Sequence, residues 1–232
     1  MKTTESPLRE GIDLMREKDS RIDCLISPRV EEIISLLSRY IDEIGLFNRA
    51  YGLVGAKDSE ELTVKHILDS IAPLGIIIRL LDQVHAKDAV QMADAGSGAG
   101  LPGIPLAIAM PDCGVTLIER MGRRAGFLWN VKAALNLSNV TVEEGELEKT
   151  RPGSFNLLTF RAFKPLEPKL LSSLFKACAD GGIIAAYKGR REKTEEEIKR
   201  LTLKNKEKIK WEIVPYSVPF LDEERNMLII GL

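Results

Sequence analysis

Residues that bind metals or form disulfides are scarce in this chain: its 232 residues include three cysteines and two histidines. Cys24, Cys113 and Cys178 are odd in number, widely spaced and never arranged as C-x-x-C. That excludes a disulfide framework and a zinc ribbon, and it fits a reducing, cytoplasmic setting. No metal is expected. Long apolar runs are missing too. The longest, Leu74 to Leu81, is interrupted by Arg79 and falls well short of the ~20 residues of a membrane span. Met1 to Asp23 is charged throughout and lacks the apolar centre of a secretion signal, so no membrane partner is expected. Nor is there a charge excess: 33 Lys and Arg face 34 Asp and Glu. A nucleic-acid site would therefore have to be a local basic patch, because the chain has no global basic field.

A hydrophobic share of 44% beside 29% charged residues marks an ordinary packed globular protein without low-complexity segments. The length suits one α/β core with an added element. Ser27-Pro28 followed by Glu31 and Glu32 has the form of a helix start. The stripe Ile33, Ile34, Leu37, Tyr40, Ile41 and Ile44 carries that helix to Gly45, which is expected to end it. A second helix is expected from Asp58-Ser59 to just before Pro73. Residues 1–75 thus read as an N-terminal helical extension, and 76–232 as the catalytic domain, the two forming one continuous globular unit.

From Ala89 onward short apolar runs alternate with helical stretches, the pattern of βα units around a mostly parallel sheet. Strands are expected near Ala89–Ala93, Val115–Ile118, Val140–Val142, Leu157–Phe160, Ile183–Tyr187, Glu212–Val218 and Asn226–Ile230, with helices between the first five. The last two, separated by a short loop, read as an antiparallel hairpin at one edge.

The first of these strands ends at Asp94 and runs into Gly96-Ser-Gly98-Ala-Gly100-Leu101-Pro-Gly103. That places a tight glycine turn at the carboxyl edge of the sheet, where α/β proteins bind ligands. Gly98 to Gly103 also satisfies G-x-G-x-x-G, so an NAD-dependent oxidoreductase is the rival reading. Pro102 and Pro105 around Gly103 suit a rigid loop better than a pyrophosphate cradle at a helix start. S-adenosylmethionine, which carries no phosphate, needs instead a carboxylate for its ribose. Glu119, about 20 residues beyond the glycines at the end of the next strand, supplies one.

Taken together, these segments resemble one family closely. Val64-Lys-His66-Ile-Leu-Asp69-Ser70 is similar to the His-x-Leu-Asp-Ser segment of the RsmG/GidB 16S ribosomal RNA guanine-N7 methyltransferases. Asp94 to Pro105 resembles the Asp-x-Gly-(Ser/Thr)-Gly-x-Gly-x-Pro-Gly-x-Pro loop of the same family almost residue for residue. Arg124 with Phe127-Leu128, Phe160-Arg161-Ala162-Phe163, Tyr187-Lys188-Gly189 and Arg225 follow in the family's order.

The resemblance implies a Rossmann-like class I S-adenosylmethionine-dependent methyltransferase. Its seven-stranded, mostly parallel sheet would end in an antiparallel strand and carry an N-terminal helical cap. The implied activity is methylation of a guanosine N7 in the 530 loop of 16S rRNA or of the small ribosomal subunit, by a chain acting as a monomer. A methyltransferase of the same fold acting on another substrate is the remaining alternative. Asp94, Gly96, Gly98, Gly100, Leu101, Glu119, Leu147, Glu148 and Arg161 are the implied cofactor residues. Two departures stand out: Gly52-Leu53-Val54 replaces the usual Asn-Leu-Thr, and Glu146-Leu147-Glu148 replaces Arg-Ala-Glu.

Guanine N7 offers a lone pair and no proton, so positioning rather than a general base should carry catalysis. His66 and Arg161 are the candidates for that role. Arg123, Arg124, Lys164, Lys188 and Arg225 are candidate RNA contacts, whereas Arg190 and Arg191 read as a solvated helix start. Phe163 is the one candidate for stacking on a base. Phe127, Leu128, Trp129 and Val131 read as core, and Trp211 as structural.

Overall fold

The computed structural model describes residues 5–84, 89–204 and 209–231; His85 lies outside them. The chain opens with α1 (Glu5–Lys18), α2 (Ser20–Ile26), a 3-10 turn at Ser27–Arg29 and α3 (Val30–Tyr51). Then come α4 (Ser59–Leu62), a π turn at Thr63–Leu68, α5 (Asp69–Ile71) and α6 (Leu74–Leu81), so the expected division after residue 75 falls within α6. The starts of α2 and α4 are capped by carboxylates. Asp19 accepts from Arg21 N at α2. At α4, Asp58 accepts from Glu61 N while Glu61 reaches back to Lys57 N, a reciprocal cap that satisfies two otherwise orphaned donors.

Gly45 does not end α3. A Cβ there would meet nothing, and the apolar stripe continues through Phe47 and Tyr51, so the helix runs on for another turn and a half. It stops at Gly52, whose φ of +59° is the left-handed cap and whose N–H bonds Asn48 O. Glycine adopts this conformation readily, which accounts for Gly52 at this position. Val54 is likewise accounted for: its N–H and C=O both bond the Asn48 side chain, at 2.9 and 3.0 Å. Neither position faces the cavities described below.

The rest of the chain alternates β1 (Gln91–Ala95), α7 (Gly103–Ala109), β2 (Gly114–Glu119), α8 (Gly122–Ala134), β3 (Val140–Glu144), β4 (Phe155–Arg161), α9 (Pro168–Ala177), β5 (Cys178–Lys188) and α10 (Arg191–Lys204). It closes with β6 (Lys210–Tyr216) and β7 (Arg225–Gly231). Between β3 and β4 stands only a 3-10 turn, Leu147–Lys149, where a helix was expected. That connection leaves the edge strand and crosses back over the sheet, and its few residues are spent on the crossing. The sheet order is β3-β2-β1-β4-β5-β7-β6. β1 to β5 are parallel, and β7 runs antiparallel to both β5 and β6.

Helices cover both faces of this sheet, so its strands are apolar on both sides. Along β7, Met227 and Ile229 pack into one core with α3 and α7, while Leu228 and Ile230 pack into the other with α9 and α10. The first core takes in Leu8, Ile12 and Ile44 of the N-terminal helices together with the sheet face and α7, every residue of which is buried. Phe127, Leu128 and Val131 are core as expected, whereas Trp129 of the same helix is 46% exposed: on α8 it projects from the side opposite the buried stripe.

Candidate active site

β1 and β4 are adjacent, and the order reverses at this pair, so the crevice over their carboxyl ends is where a doubly wound sheet binds ligands. The glycine loop after β1 is held open there by its own hydrogen bonds. Gly96 and Ser97 N–H both bond Ile118 O, at 2.9 and 3.1 Å, and Gly100 and Leu101 N–H bond Ser97 O. Gly98 N–H bonds Glu119 Oε2 at 2.9 Å, and Gly103 N–H bonds Asp94 Oδ2 at 3.0 Å. The Tyr40 hydroxyl, buried on α3, donates to Ala99 O at 2.6 Å. This ties the helical cap to the loop.

A loop so satisfied internally makes a poor phosphate cradle, which needs N–H groups pointing at the ligand. The cavity beside it, about 210 Å³, is lined by Gly96, Ile118, Glu119, Met121, Leu147 and Glu148 among others, and by Phe163, whose ring rests against Gly96. Glu119, 4% exposed, accepts Gly98 N–H on one oxygen and Met121 N–H on the other, at 2.9 and 2.8 Å. Each carboxylate oxygen has a second lone pair left for a ribose hydroxyl. Under the loop, Asp94 Oδ1 is buried with no hydrogen-bond partner among the described residues. Burial pushes the Asp94 carboxyl up to about 7. Carboxylates beside a loop whose N–H groups are already bonded fit a cationic nucleoside better than a pyrophosphate. The residues present therefore match S-adenosylmethionine.

The candidate cofactor residues divide by position. Gly96, Glu119, Leu147 and Glu148 line this cavity. Asp94 instead pins Gly103, and a Cβ on Gly100 would meet Ile104, Leu128 and Tyr40 of the core. Leu101 is buried with that core, and Gly98 faces open space.

Arg161 lines a second, larger cavity of about 500 Å³, together with His66, Asp69, Tyr187, Lys188 and Arg225. Its centre is Asp69, 4% exposed. Asp69 Oδ2 accepts from Arg161 at 3.1 Å, and Oδ1 accepts from Arg225 at 3.2 Å and from the Tyr216 hydroxyl at 3.3 Å. Next to it, the Tyr187 hydroxyl donates to Ser70 O at 2.8 Å. The π turn and α5 thus bring His66, Asp69 and Ser70 against the ends of β4 through β7. Asp69, Tyr187 and Tyr216 were not among the expected site residues. Asp69 and Tyr187 lie within segments that carried the family resemblance, and Asp69 is also an acid inside the otherwise apolar stretch Ile67-Leu68-Asp69-Ser70-Ile71; no sequence signal marked Tyr216.

The guanidinium of Arg161 also donates to His66 Nδ1 at 3.1 Å. Arginine has no acceptor, so Nδ1 must carry the lone pair and Nε2 the hydrogen. Burial, reinforced by Arg161, pushes His66 down to about 4, so His66 is a neutral N–H donor at neutral pH. Because the folded value lies below the ordinary 6.5, the unfolded chain binds more protons between about 4 and 6.5. The contribution to stability is complete above 6.5 and is lost as pH falls toward 4. The His66 ring proton resonances should accordingly show no midpoint between pH 5.5 and 8 by NMR. A midpoint near 6.5 would refute the contact with Arg161.

Of the candidate RNA contacts, Lys164, Lys188 and Arg225 line the larger cavity, Lys188 paired with Glu197 at 2.6 Å. Arg124 lines the smaller one, and Arg123 stands over the Tyr51 ring at 5.8 Å. Among the described residues no group of three or more His, Cys, Asp or Glu side chains is placed to hold a metal ion, and no helix is long and apolar enough to cross a membrane.

The strand order, the glycine loop and the acid that ends β2 define a Rossmann-like, S-adenosylmethionine-dependent methyltransferase. The fold is shared with a methyltransferase of this kind from Aquifex aeolicus, with a TM-score of 0.54 at 16% identity, covering 71% of this chain and 92% of that one. It is also shared with a putative one from Methanococcus maripaludis, with a TM-score of 0.56 at 13% identity, covering 82% and 90%.

Residues 33–228 match the family model GidB, rRNA small subunit methyltransferase G, and the chain belongs to that family. Ribosomal RNA small subunit methyltransferase G of Treponema denticola is 35% identical over 222 residues, 86% of either chain. The protein of that name from Treponema pallidum subsp. pallidum is 36% identical over 202 residues, 85% of either.

Proposed function

We propose that this chain transfers a methyl group from S-adenosylmethionine to N7 of a guanosine in 16S rRNA, within free RNA or the small ribosomal subunit. The observation that carries the reading is the pairing of two cavities across one short segment: Ala162, Phe163 and Lys164 line both. The smaller cavity holds Glu119 beside a loop whose N–H groups are already bonded, and the larger gathers Arg161, Lys164, Lys188 and Arg225 around Asp69.

The cofactor supplies an electrophilic methyl on a sulfonium. On the smaller side Glu119 accepts from the ribose hydroxyls, while Ile118, Met121 and Leu147 give the adenine an apolar flank. On the larger side Arg161 and Arg225 keep fixed positions because Asp69 holds both guanidiniums. His66 offers the base a neutral N–H donor. Lys164, in no ion pair among the described residues, is available to phosphate. N7 has no proton to lose, so orientation at near-attack distance is what the residues must provide. The enzyme is read as a cytoplasmic monomer.

The test is incubation of the protein with methyl-labelled S-adenosylmethionine and unmodified small-subunit RNA, followed by nucleoside mapping. The expected product is 7-methylguanosine at a single site. A methyl on N1 or on ribose refutes the N7 assignment, and no transfer to RNA refutes the substrate.

A further inference from the structure

The ring that separates the two cavities stands in the way of the reaction they imply. A Cβ built on Gly96 would lie 2.2 Å from Phe163 Cδ2 and 2.4 Å from Cε2, so the ring edge rests directly on the glycine loop. The smaller cavity that remains, about 210 Å³, is below the ~300 Å³ at which sites enclosing a ligand of this size begin. Methyl transfer requires donor carbon and acceptor nitrogen to approach to about 3–3.5 Å, which leaves no room for an aromatic ring between them. Phe163 therefore cannot hold this position during the reaction.

The chain around Phe163 is arranged for it to leave. Arg161 is pinned by Asp69 and His66. Leu166 N–H is pinned by Glu197 Oε1 at 2.7 Å. Only residues 162–165 lie between these anchors, and they belong to no helix or strand. Ala162 has φ +47°, a conformation an alanine occupies under strain and can abandon for the ordinary one. The space open to the ring is the larger cavity, whose wall Phe163 already shares with Tyr187 and Phe160. The Phe160 ring stands 6.2 Å away in an edge-on contact.

We propose that Phe163 is the acceptor-positioning residue of this enzyme: over Gly96 it closes the donor cavity, and swung about Ala162 into the larger cavity it stacks on the acceptor base. The cofactor and the ring compete for one place, so filling the donor cavity builds the stacking face for the base. This rests on the donor and acceptor reading of the two cavities.

Two variants test it. With the ring removed, Phe163→Ala should bind S-adenosylhomocysteine about 3- to 10-fold tighter by calorimetry, because an apparent Kd is weakened by the fraction of molecules that are closed. The same variant should raise KM for unmodified small-subunit RNA about 10- to 100-fold, the worth of one base stack. Phe163→Tyr should restore that KM. An unchanged or weaker affinity for S-adenosylhomocysteine, or an unchanged KM for RNA, overturns the proposal while wild-type methylation of the RNA leaves the function standing. If the wild-type protein binds no S-adenosylhomocysteine, both fall together.

Discussion

Asp69→Ala is expected to destabilise the protein by about 3–5 kcal/mol, the usual cost of removing one partner from a buried ion pair. Its carboxylate is the common acceptor for Arg161, Arg225 and Tyr216, and the two arginine side chains are only 15% and 17% exposed. Without Asp69, Arg161 loses its carboxylate partner and Arg225 keeps only Glu223, in a half-closed cavity. For a chain of this size the loss corresponds to a fall in Tm of about 6–20 °C, readable by circular dichroism. Asp69→Asn, which keeps the shape and drops the charge, should fall between. A Tm within 2 °C of wild type for the alanine variant would mean that water replaces the carboxylate and that the network is not structural. Methyl transfer measured well below either Tm should also drop, since both arginines lose the contact that fixes them.

The part of this site that was legible in the sequence is the part made of consecutive residues. The glycine loop, the strand that feeds it and the acid that ends β2 sit within about 30 positions, and their chemistry depends on local spacing. The sheet was legible for the same reason, since alternating βα units state their own topology. Gly45 misled because a glycine in the middle of a solvated helix costs only about 1 kcal/mol relative to alanine, too little to stop a stripe that continues to Tyr51.

The Asp69 network was hidden because Arg161, Tyr216 and Arg225 lie 92 to 156 residues from Asp69, and the segment around Asp69 does not show that a buried acid is the meeting point of two arginines. Likewise Arg161 was expected both as a cofactor residue and as a positioning residue, and its guanidinium lines the larger cavity, held there by His66 and Asp69. Position along the chain gave the strand end, and the partner across the fold decided which cavity the side chain entered. Gly52 carries the converse lesson: this departure from the usual motif sits at the left-handed cap of α3, where glycine is the ordinary choice.

Gly96→Val should raise the Kd for S-adenosylhomocysteine at least 100-fold. Two effects add. Gly96 has φ +71°, a conformation that is an outlier for a β-branched residue, at a cost to folding of about 1–3 kcal/mol. The added side chain also stands on the cavity wall, where its first carbon alone would overlap the Phe163 ring. That ring can turn aside, so the protein should still fold; the space it vacates is then filled by valine instead of cofactor. Gly98→Ala separates the two effects. Gly98 has φ +58°, and its added Cβ meets nothing nearer than Gly96 O at 3.9 Å. It carries the backbone strain without the obstruction, and its Kd should rise less than 10-fold. Equal losses in the two variants, measured by calorimetry, would place the cause in the loop's backbone and take Gly96 off the cavity wall. A wide gap between them fixes the donor site on the Gly96 side of the loop, facing Glu119 and Leu147.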